Sequence, residues 1–295
     1  MRQERIPLAI FYMVSAGAVF SISSAASKWL VATYPPGEVL FTRTFISLIG
    51  LALFILPTFG LAVYRTQRPV AHLMRCASQT TSQTLLLIAF SMMPLASATA
   101  INFSAPLFAT LASLVFLKEP VGAARWIALV VGFLGVLIVT QPGAGTFTTG
   151  ALFALANAVL FGTVTAGVRG MTTTESTETL AMWQMTVLSV TYACMLPFGF
   201  ATPNWFDAGI ILINGVTNAV GQYWWTRAIH LAPTSAVVPF QYLSLVWAML
   251  FGFALWGDMP TLSLIAGSAI VVGSGLFLLW RESKKLKPIP QVAIR

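Results

Sequence analysis

PLASATAINF, from Pro94 to Phe103, and PTSAVVPFQY, from Pro233 to Tyr242, stand 139 residues apart in a chain of 295. Each opens on a proline and ends on a side-chain amide followed by an aromatic ring: Asn102 and Phe103 in one, Gln241 and Tyr242 in the other. The same displacement sets Gln79 and Gln83 on Asn218 and Gln222, Phe108 on Trp247, and Glu119 on Asp258. After one inserted residue Pro120 meets Pro260, and nearer the amino terminus a displacement of 141 sets Phe20 on Phe161, Lys28 on Arg169 and Arg43 on Gln184. Strings of Leu, Ala, Gly and Phe align easily by chance, but matched polar residues do not, so the chain reads as one unit written twice.

The material between the matches is that of a membrane protein. Hydrophobic residues make up 57% of the chain and charged residues 8%, against about 25% charged in soluble domains; the mean hydropathy is +0.84. A bilayer span takes about 20 apolar residues. Apolar runs predict spans at Ile6 to Leu30, Gly37 to Leu56, Leu73 to Met92, Leu95 to Leu117 and Ala123 to Thr140. Five more follow at Thr149 to Val168, Thr179 to Phe198, Asp207 to Ile229, Thr234 to Leu255 and Thr261 to Trp280. Pro35, Pro36, Pro69, Pro94, Pro120, Pro203, Pro233 and Pro260 fall near the ends of these runs, where turn chemistry belongs. The third span carries Ser78, Gln79, Thr80, Thr81, Ser82, Gln83 and Thr84 in succession, which a lipid-facing helix would not. The fold class expected is an all-α integral membrane protein of ten transmembrane helices, and no length remains for a soluble catalytic domain.

Arg2 and Arg5 ahead of the first apolar run resemble a cleaved signal, but the matching span in the second copy makes a retained helix the expectation. The net charge of +8 is dispersed between spans rather than gathered on a basic helix, so it reports topology and not a nucleic-acid partner. With the amino terminus inside, Arg2, Arg5, Arg65, Arg68, Arg75, Lys118, Arg125, Arg169 and Arg227 fall at cytoplasmic ends. So do Arg281, Lys284, Lys285, Lys287 and Arg295, leaving Lys28 and Arg43 at the first external turn. Both termini are therefore expected in the cytoplasm of a multi-pass inner-membrane protein. Five helices per unit is an odd number, so the second copy enters from the opposite side. Arg65, Arg68, Lys118 and Arg125 accordingly have uncharged counterparts in Phe206, Gly209, Gly257 and Ile265. The expected organisation is a first five-helix repeat over residues 1–145, an inverted second repeat over 146–283, and a cytoplasmic basic tail over 284–295. Two similar halves of opposite orientation can exchange conformations and alternate access across the bilayer, which argues for a transporter.

Polar groups in hydrocarbon need a partner or water, so their positions point to a cavity or to a helix contact. Gln79 and Gln83 are an i, i+4 pair whose mates are Asn218 and Gln222; Asn102, Gln241 and Asn157 add further amides in the spans. Bonding between neighbouring helices accounts for any one of them; the symmetric set is expected to line a cavity and to contact solute. Phe20, Phe161, Tyr223, Tyr242 and Trp225 accompany the amides as candidate walls, although aromatic residues in helices more often pack a core. Pro106 and Pro239 sit beside the amides as candidate hinges or static kinks. Arg43 lies about 7 to 8 Å inside its helix start at about 1.5 Å per residue, and snorkelling outward, pairing with Glu38 and touching solute are all open to it. No Asp or Glu falls in mid-span, which disfavours tight ion coupling and gives an uncharged polar cavity suited to a zwitterion. His72 and His230 are read as interfacial, Tyr34, Trp29 and Trp205 as a belt, and Ala124, Ala128, Gly132, Ala269 and Gly273 as a small-residue ladder. Cys76 and Cys194 fall in different spans as packing residues, with no thiolate metal site, and neither metal nor cofactor is expected.

Two five-helix units, GEVLFTR in the second helix (Gly37 to Arg43) and the acidic-proline segments LKEP (Leu117 to Pro120) and WGDMP (Trp256 to Pro260) resemble the EamA-type permeases of the drug/metabolite transporter superfamily. The resemblance covers nearly the whole chain, though the usual glycine and threonine around the acidic motif are absent. It implies an inner-membrane exporter of small metabolites, most often amino acids, aromatic and hydrophobic ones included. Arg43, Glu119 and Asp258 would then be structural positions, and the cavity would lie among helices one, three, four, six, eight and nine. The expected partners are a small-molecule substrate and the lipid bilayer. A drug or nucleotide-sugar transporter is the neighbouring alternative. A channel is a more distant one, and so is an intramembrane enzyme, for which HExxH and an aspartate pair in the membrane are lacking.

Overall fold

The computed structural model describes residues 6–105, 107–108, 123–140, 149–171, 174–232 and 237–285, and among them the chain is helical with no strand. Ten α-helices follow one another: α1 Ile6–Val31, α2 Pro36–Phe59, α3 Pro69–Met92, α4 Leu95–Asn102 and α5 Ala123–Thr140, then α6 Thr149–Met171, α7 Thr177–Ala193, α8 Trp205–Leu231, α9 Leu243–Trp256 and α10 Leu262–Lys285. They take the ten places read from the apolar runs. Glu119, Lys118 and Pro106 lie outside the described residues, as do the expected division at residue 145 and all but the start of the basic tail.

Local chemistry sets several ends. Ser176 caps α7 by accepting the Thr179 amide at 3.1 Å, and Asn204 caps α8 by accepting the Asp207 amide at 2.8 Å. At the end of α9, Gly257 takes the left-handed backbone at φ +68°, and the Asp258 amide turns back onto the Gly252 carbonyl at 3.1 Å. The polar run of α3 is compatible with a helix because Thr80 and Thr84 donate to carbonyls four residues back, at 2.9 Å each. The ninth span departs from the uninterrupted helix expected: Val238–Tyr242 is a 3-10 turn, and α9 begins only at Leu243. Pro239 has no amide hydrogen to give an α-helical ladder, so the chain tightens there. Its mate region does likewise, since α4 gives way to a turn at Phe103 and Ser104.

Packing places α1 along α8, α3 along α6, α2 between α7 and α8, and α5 along α10. Contacts fix their directions. Trp29 meets Asp207 while Ser23 meets Asn214, so α1 and α8 run antiparallel. Arg75 meets Gln184 while Tyr192 meets Thr80, so α3 and α7 run parallel. Gly37 lies against Met195 and Tyr64 bonds Thr186 at 2.8 Å, so α2 and α7 run antiparallel. The α5–α10 seam is closer than side chains allow. A Cβ at Gly267 would stand 2.7 Å from the Gly135 carbonyl, and one at Gly132 would stand 2.6 Å from the Ser274 hydroxyl. Gly273, expected on this ladder, faces open space, and Ala269 is exposed; the contact uses Gly132, Gly135 and Gly267.

The outer faces are apolar: Leu53 is 74% exposed and Phe54 69%. Ile6–Val31, Pro36–Tyr64 and Thr177–Phe198 are each long and apolar enough to cross a membrane. In α3 and α8 the polar residues that build the interior lower the hydropathy that would announce a span. The structure is that of a multi-pass membrane protein whose outer surface is apolar and whose polar residues turn inward.

Several residues read from sequence as peripheral are structural instead. Tyr34 is buried and donates to Asp207 at 2.8 Å, and the Trp29 indole donates to the same carboxylate at 3.2 Å; Trp205 is almost fully exposed. His72 and His230 are both buried rather than interfacial, and His72 lies 3.9 Å from Glu175. Cys76 is buried, whereas Cys194 is exposed and packs no core. Lys28 donates to the Met93 carbonyl at 2.7 Å and stands 5.2 Å from the Trp256 ring centre, which ties α1 to the α3–α4 turn and the end of α9.

Candidate functional site

A cavity of about 170 Å³ lies between the helices of both halves. All seven amides picked out in the sequence line it: Gln79, Gln83, Asn102, Asn157, Asn218, Gln222 and Gln241. They come from α3, α4, α6, α8 and the 3-10 turn before α9. Phe20, Phe161 and Trp225 form part of its wall. Tyr223 and Tyr242 are not among the lining residues. Tyr223 points to Phe54 and, at 3.4 Å, to Glu178, while Tyr242 packs edge-on against Phe103 and beneath Gly275. Each is one helical step from a lining amide, Gln222 or Gln241, and one step of about 100° turns a side chain off the shared face. Of the candidate hinges, Pro239 falls in the 3-10 turn beside Gln241, and Pro106 is not described.

The amides divide into two kinds. Asn157 is almost fully buried; it accepts from Ser82 at 2.6 Å and donates to Asn102 at 2.7 Å, so it ties α3, α6 and α4 together. Asn218 donates to Ser47 at 2.9 Å, and Ser47 in turn donates to the Gly215 carbonyl at 2.8 Å, joining α8 to α2. Gln222 donates at 3.3 Å both to Gln184 and to Thr226. Gln79 and Gln241 line the space with no side-chain hydrogen bond to another described residue, so their carboxamides have both donor and acceptor to offer a solute.

Sequence reasoning missed several lining residues, Arg75, Gln184 and Ser244 among them, and misjudged the charge. Arg75, expected at a cytoplasmic end, is buried; it donates to the Gln184 carboxamide and, at 3.4 Å, to the Leu180 carbonyl. Arg43 lies at the cavity and donates to Gln83; it neither snorkels nor pairs with Glu38, whose carboxylate accepts the Ala201 amide at 2.9 Å. Gln184 and Arg75 line the space, and so does Ser244. The cavity is therefore not uncharged: it holds two guanidinium groups, and no carboxylate is among its lining residues. A spacing signal existed for Arg75, since positions 75, 79, 83, 86 and 90 recur on one face of α3. Gln184 was visible as the mate of Arg43.

Contacts around the cavity recur when the halves are exchanged. The bond from Arg43 to Gln83 has its counterpart, at the displaced positions, in the bond between Gln184 and Gln222. The long packing of α1 on α8 has its counterpart in that of α6 on α3.

Known proteins place this arrangement. The model of the EamA-like transporter family matches the chain twice, at residues 7–141 and 148–280. A riboflavin transporter of Rhizobium johnstonii is 30% identical over 289 residues, spanning 96% of this chain and 94% of that one. An S-adenosylmethionine uptake transporter of Rickettsia conorii is 25% identical over 90% of each chain. The pseudopaline exporter CntI of Pseudomonas aeruginosa is 25% identical over 89% of this chain and 93% of its own. A solved crystal structure 18% identical to this chain superposes with a TM-score of 0.66 over 95% of this chain and 99% of its own, which shows a shared fold.

Proposed function

The chain belongs to the EamA-like transporter family, and on that premise we propose that it moves a small polar metabolite through the bilayer by alternating access, with the central cavity as the binding site. The single observation carrying this is that matched residues from both halves converge on one shared space: Gln79 with Asn218, Gln83 with Gln222, and Asn102 with Gln241. The antiparallel packing of the mates α2 and α7, the double match of the family model and the exchanged contacts support an inverted pair of five-helix units over 1–145 and 146–283. In this reading the interrupted stretches at Phe103–Ser104 and Val238–Tyr242 are where the helices flex, beside the amides that hold solute. Both termini and the tail over 284–295 lie in the cytoplasm, as the basic residues at the ends of the spans indicate. With no carboxylate among the lining residues to carry a proton or sodium ion, net movement follows the solute gradient.

The solute is a ring-bearing metabolite rich in hydrogen-bond acceptors. Phe20, Phe161, Phe103 and Trp225 supply flat apolar walls, while Gln79, Gln241 and the two arginines supply donors. The relative named for riboflavin transport fits this chemistry, because a flavin offers a planar ring with carbonyl groups and a hydroxylated chain. Export of an aromatic amino acid is the second reading; the same walls favour it, but its ammonium group would meet no carboxylate in the lining. The test is flux in proteoliposomes of the purified chain. Saturable entry of riboflavin, followed by its fluorescence and weakly inhibited by phenylalanine or tryptophan, is expected. Saturable flux of amino acids with none of flavin would reverse the two readings, and flux that never saturates would make the protein a channel.

A further inference from the structure

We infer that the part of the cavity lined by Arg75 and Arg43 is an anion subsite, so that ring-bearing solutes carrying a carboxylate, phosphate or comparable acidic group are preferred there over neutral ones. This rests on the cavity being the transport site and names the charge it favours.

Both guanidinium groups lack a counter-charge. Among the described residues no carboxylate lies within 4.0 Å of either. The acids are held elsewhere: Glu38 by the Ala201 amide, Asp207 by Tyr34, Trp29 and Asn204, and Glu175 by Thr66 and His72. Each arginine has only neutral acceptors, Gln83 for Arg43 and Gln184 with the Leu180 carbonyl for Arg75. Each also keeps a buried Nε without a partner. Arg75 itself is 94% buried, being 6% exposed. A buried charge with no partner of opposite sign is strongly unfavourable, because it has given up water without gaining an anion. The energy is recovered when an anion arrives, since a guanidinium presents a planar fork matched to carboxylate and phosphate.

The second half of the chain shows that packing alone does not require these charges. The mate of Arg43 is Gln184, and the bond that Arg43 makes to Gln83 is made at the mate positions between two neutral amides, Gln222 and Gln184. The mate of Arg75, by the displacement of 139, is Asn214, which is fully buried and bonded to Ser23 at 2.6 Å and Ser27 at 3.2 Å. A neutral amide thus joins the helices at both equivalent places. The two positive charges sit on one half only, both at the cavity wall, and Gln184 and Gln83 hold them there without neutralising them. A cleft lined by charge of one sign favours solutes of the other sign and disfavours cations.

The probes are indole-3-acetate and indole-3-acetamide, which share a ring and nearly a shape and differ by one negative charge, together with inorganic phosphate. Binding to the full chain in detergent is measured by calorimetry and by protection against thermal unfolding, for the natural sequence and for Arg75→Gln and Arg75→Lys. The expected result is at least tenfold tighter binding of the acetate than of the acetamide. That preference is lost in Arg75→Gln, which keeps a donor for Gln184, and largely kept in Arg75→Lys, which keeps the charge. Equal binding of the two indoles, or a preference unchanged in Arg75→Gln and in the corresponding Arg43→Gln, would overturn the inference. If riboflavin flux saturates while binding is blind to charge, the transport reading stands and the anion subsite falls. If phosphate protects the natural chain but not Arg75→Gln, while neither indole binds, the subsite stands as one for inorganic anions and the ring-bearing solute falls. If no anion of either kind protects, the subsite is overturned.

Discussion

Replacing Asn157 and Gln79 by leucine, one at a time, separates amides that hold helices together from amides that meet solute. Asn157→Leu removes two short hydrogen bonds, from Ser82 at 2.6 Å and to Asn102 at 2.7 Å, and leaves a buried hydroxyl and a carboxamide oxygen to find new partners. In water-soluble cores each orphaned group costs about 1–3 kcal/mol, whereas measured side-chain hydrogen bonds between membrane helices average about 0.6 kcal/mol. The cavity admits water to Asn102, and leucine adds apolar packing, so a total loss of about 1–3 kcal/mol is expected. Gln79 bonds no described side chain, and its replacement removes nothing from the fold; a change within about 0.5 kcal/mol is expected, as for substitutions away from packed features. What Gln79→Leu removes is one hydrogen bond to solute, about 0.5–1.5 kcal/mol, or roughly two- to tenfold in KM. The assay is paired: melting temperature in detergent, and initial flux of the transported solute per unit of folded protein in liposomes. Asn157→Leu should melt lower, and Gln79→Leu should melt normally with weaker flux. A Gln79→Leu protein that melts as low as Asn157→Leu yet transports normally per folded molecule would refute the division.

Three further outcomes follow from the packing. Gly267→Ala puts a Cβ 2.7 Å from the Gly135 carbonyl and should cost about 1–3 kcal/mol by forcing α5 and α10 apart. Gly273→Ala, with open space around it, should leave the melting temperature unchanged, and equal losses for the two would contradict the seam described. Gly221→Ala brings a Cβ to 2.9 Å from the Phe20 ring; because that ring is a cavity wall, binding should weaken several-fold with a smaller change in melting than Gly267→Ala causes, as measured by solute titration. Tyr223→Phe removes only a 3.4 Å contact to Glu178 outside the cavity, so flux should match the natural chain; a large loss would bring Tyr223 back among the solute contacts.

Much of the candidate site was legible because polar residues are conspicuous in an apolar chain. QTTSQ over residues 79–83 and NAVGQ over 218–222 stand out against their surroundings, and the displacement pairs them. The errors share a cause. Arg75 reads in sequence only as a basic residue at a cytoplasmic helix end, by a rule that describes populations of side chains and cannot see that Gln184 on another helix holds it buried. Tyr223 and Tyr242 were grouped with their amide neighbours by position in the chain, although adjacent residues of a helix point about 100° apart.

The linear order of residues by itself determined the number of helices, their apolar exterior and the twofold recurrence of the interior amides. Those follow from the cost of burying peptide groups and polar side chains in hydrocarbon, which acts on every segment separately. Only the tertiary structure decided which amides are mortar and which are free, and that the cavity carries positive charge. Those properties belong to pairs such as Arg75 with Gln184 and Asn157 with Asn102, separated by 109 and 55 residues. A hydrogen bond depends on where two groups meet in space, and no stretch of either helix contains that information alone.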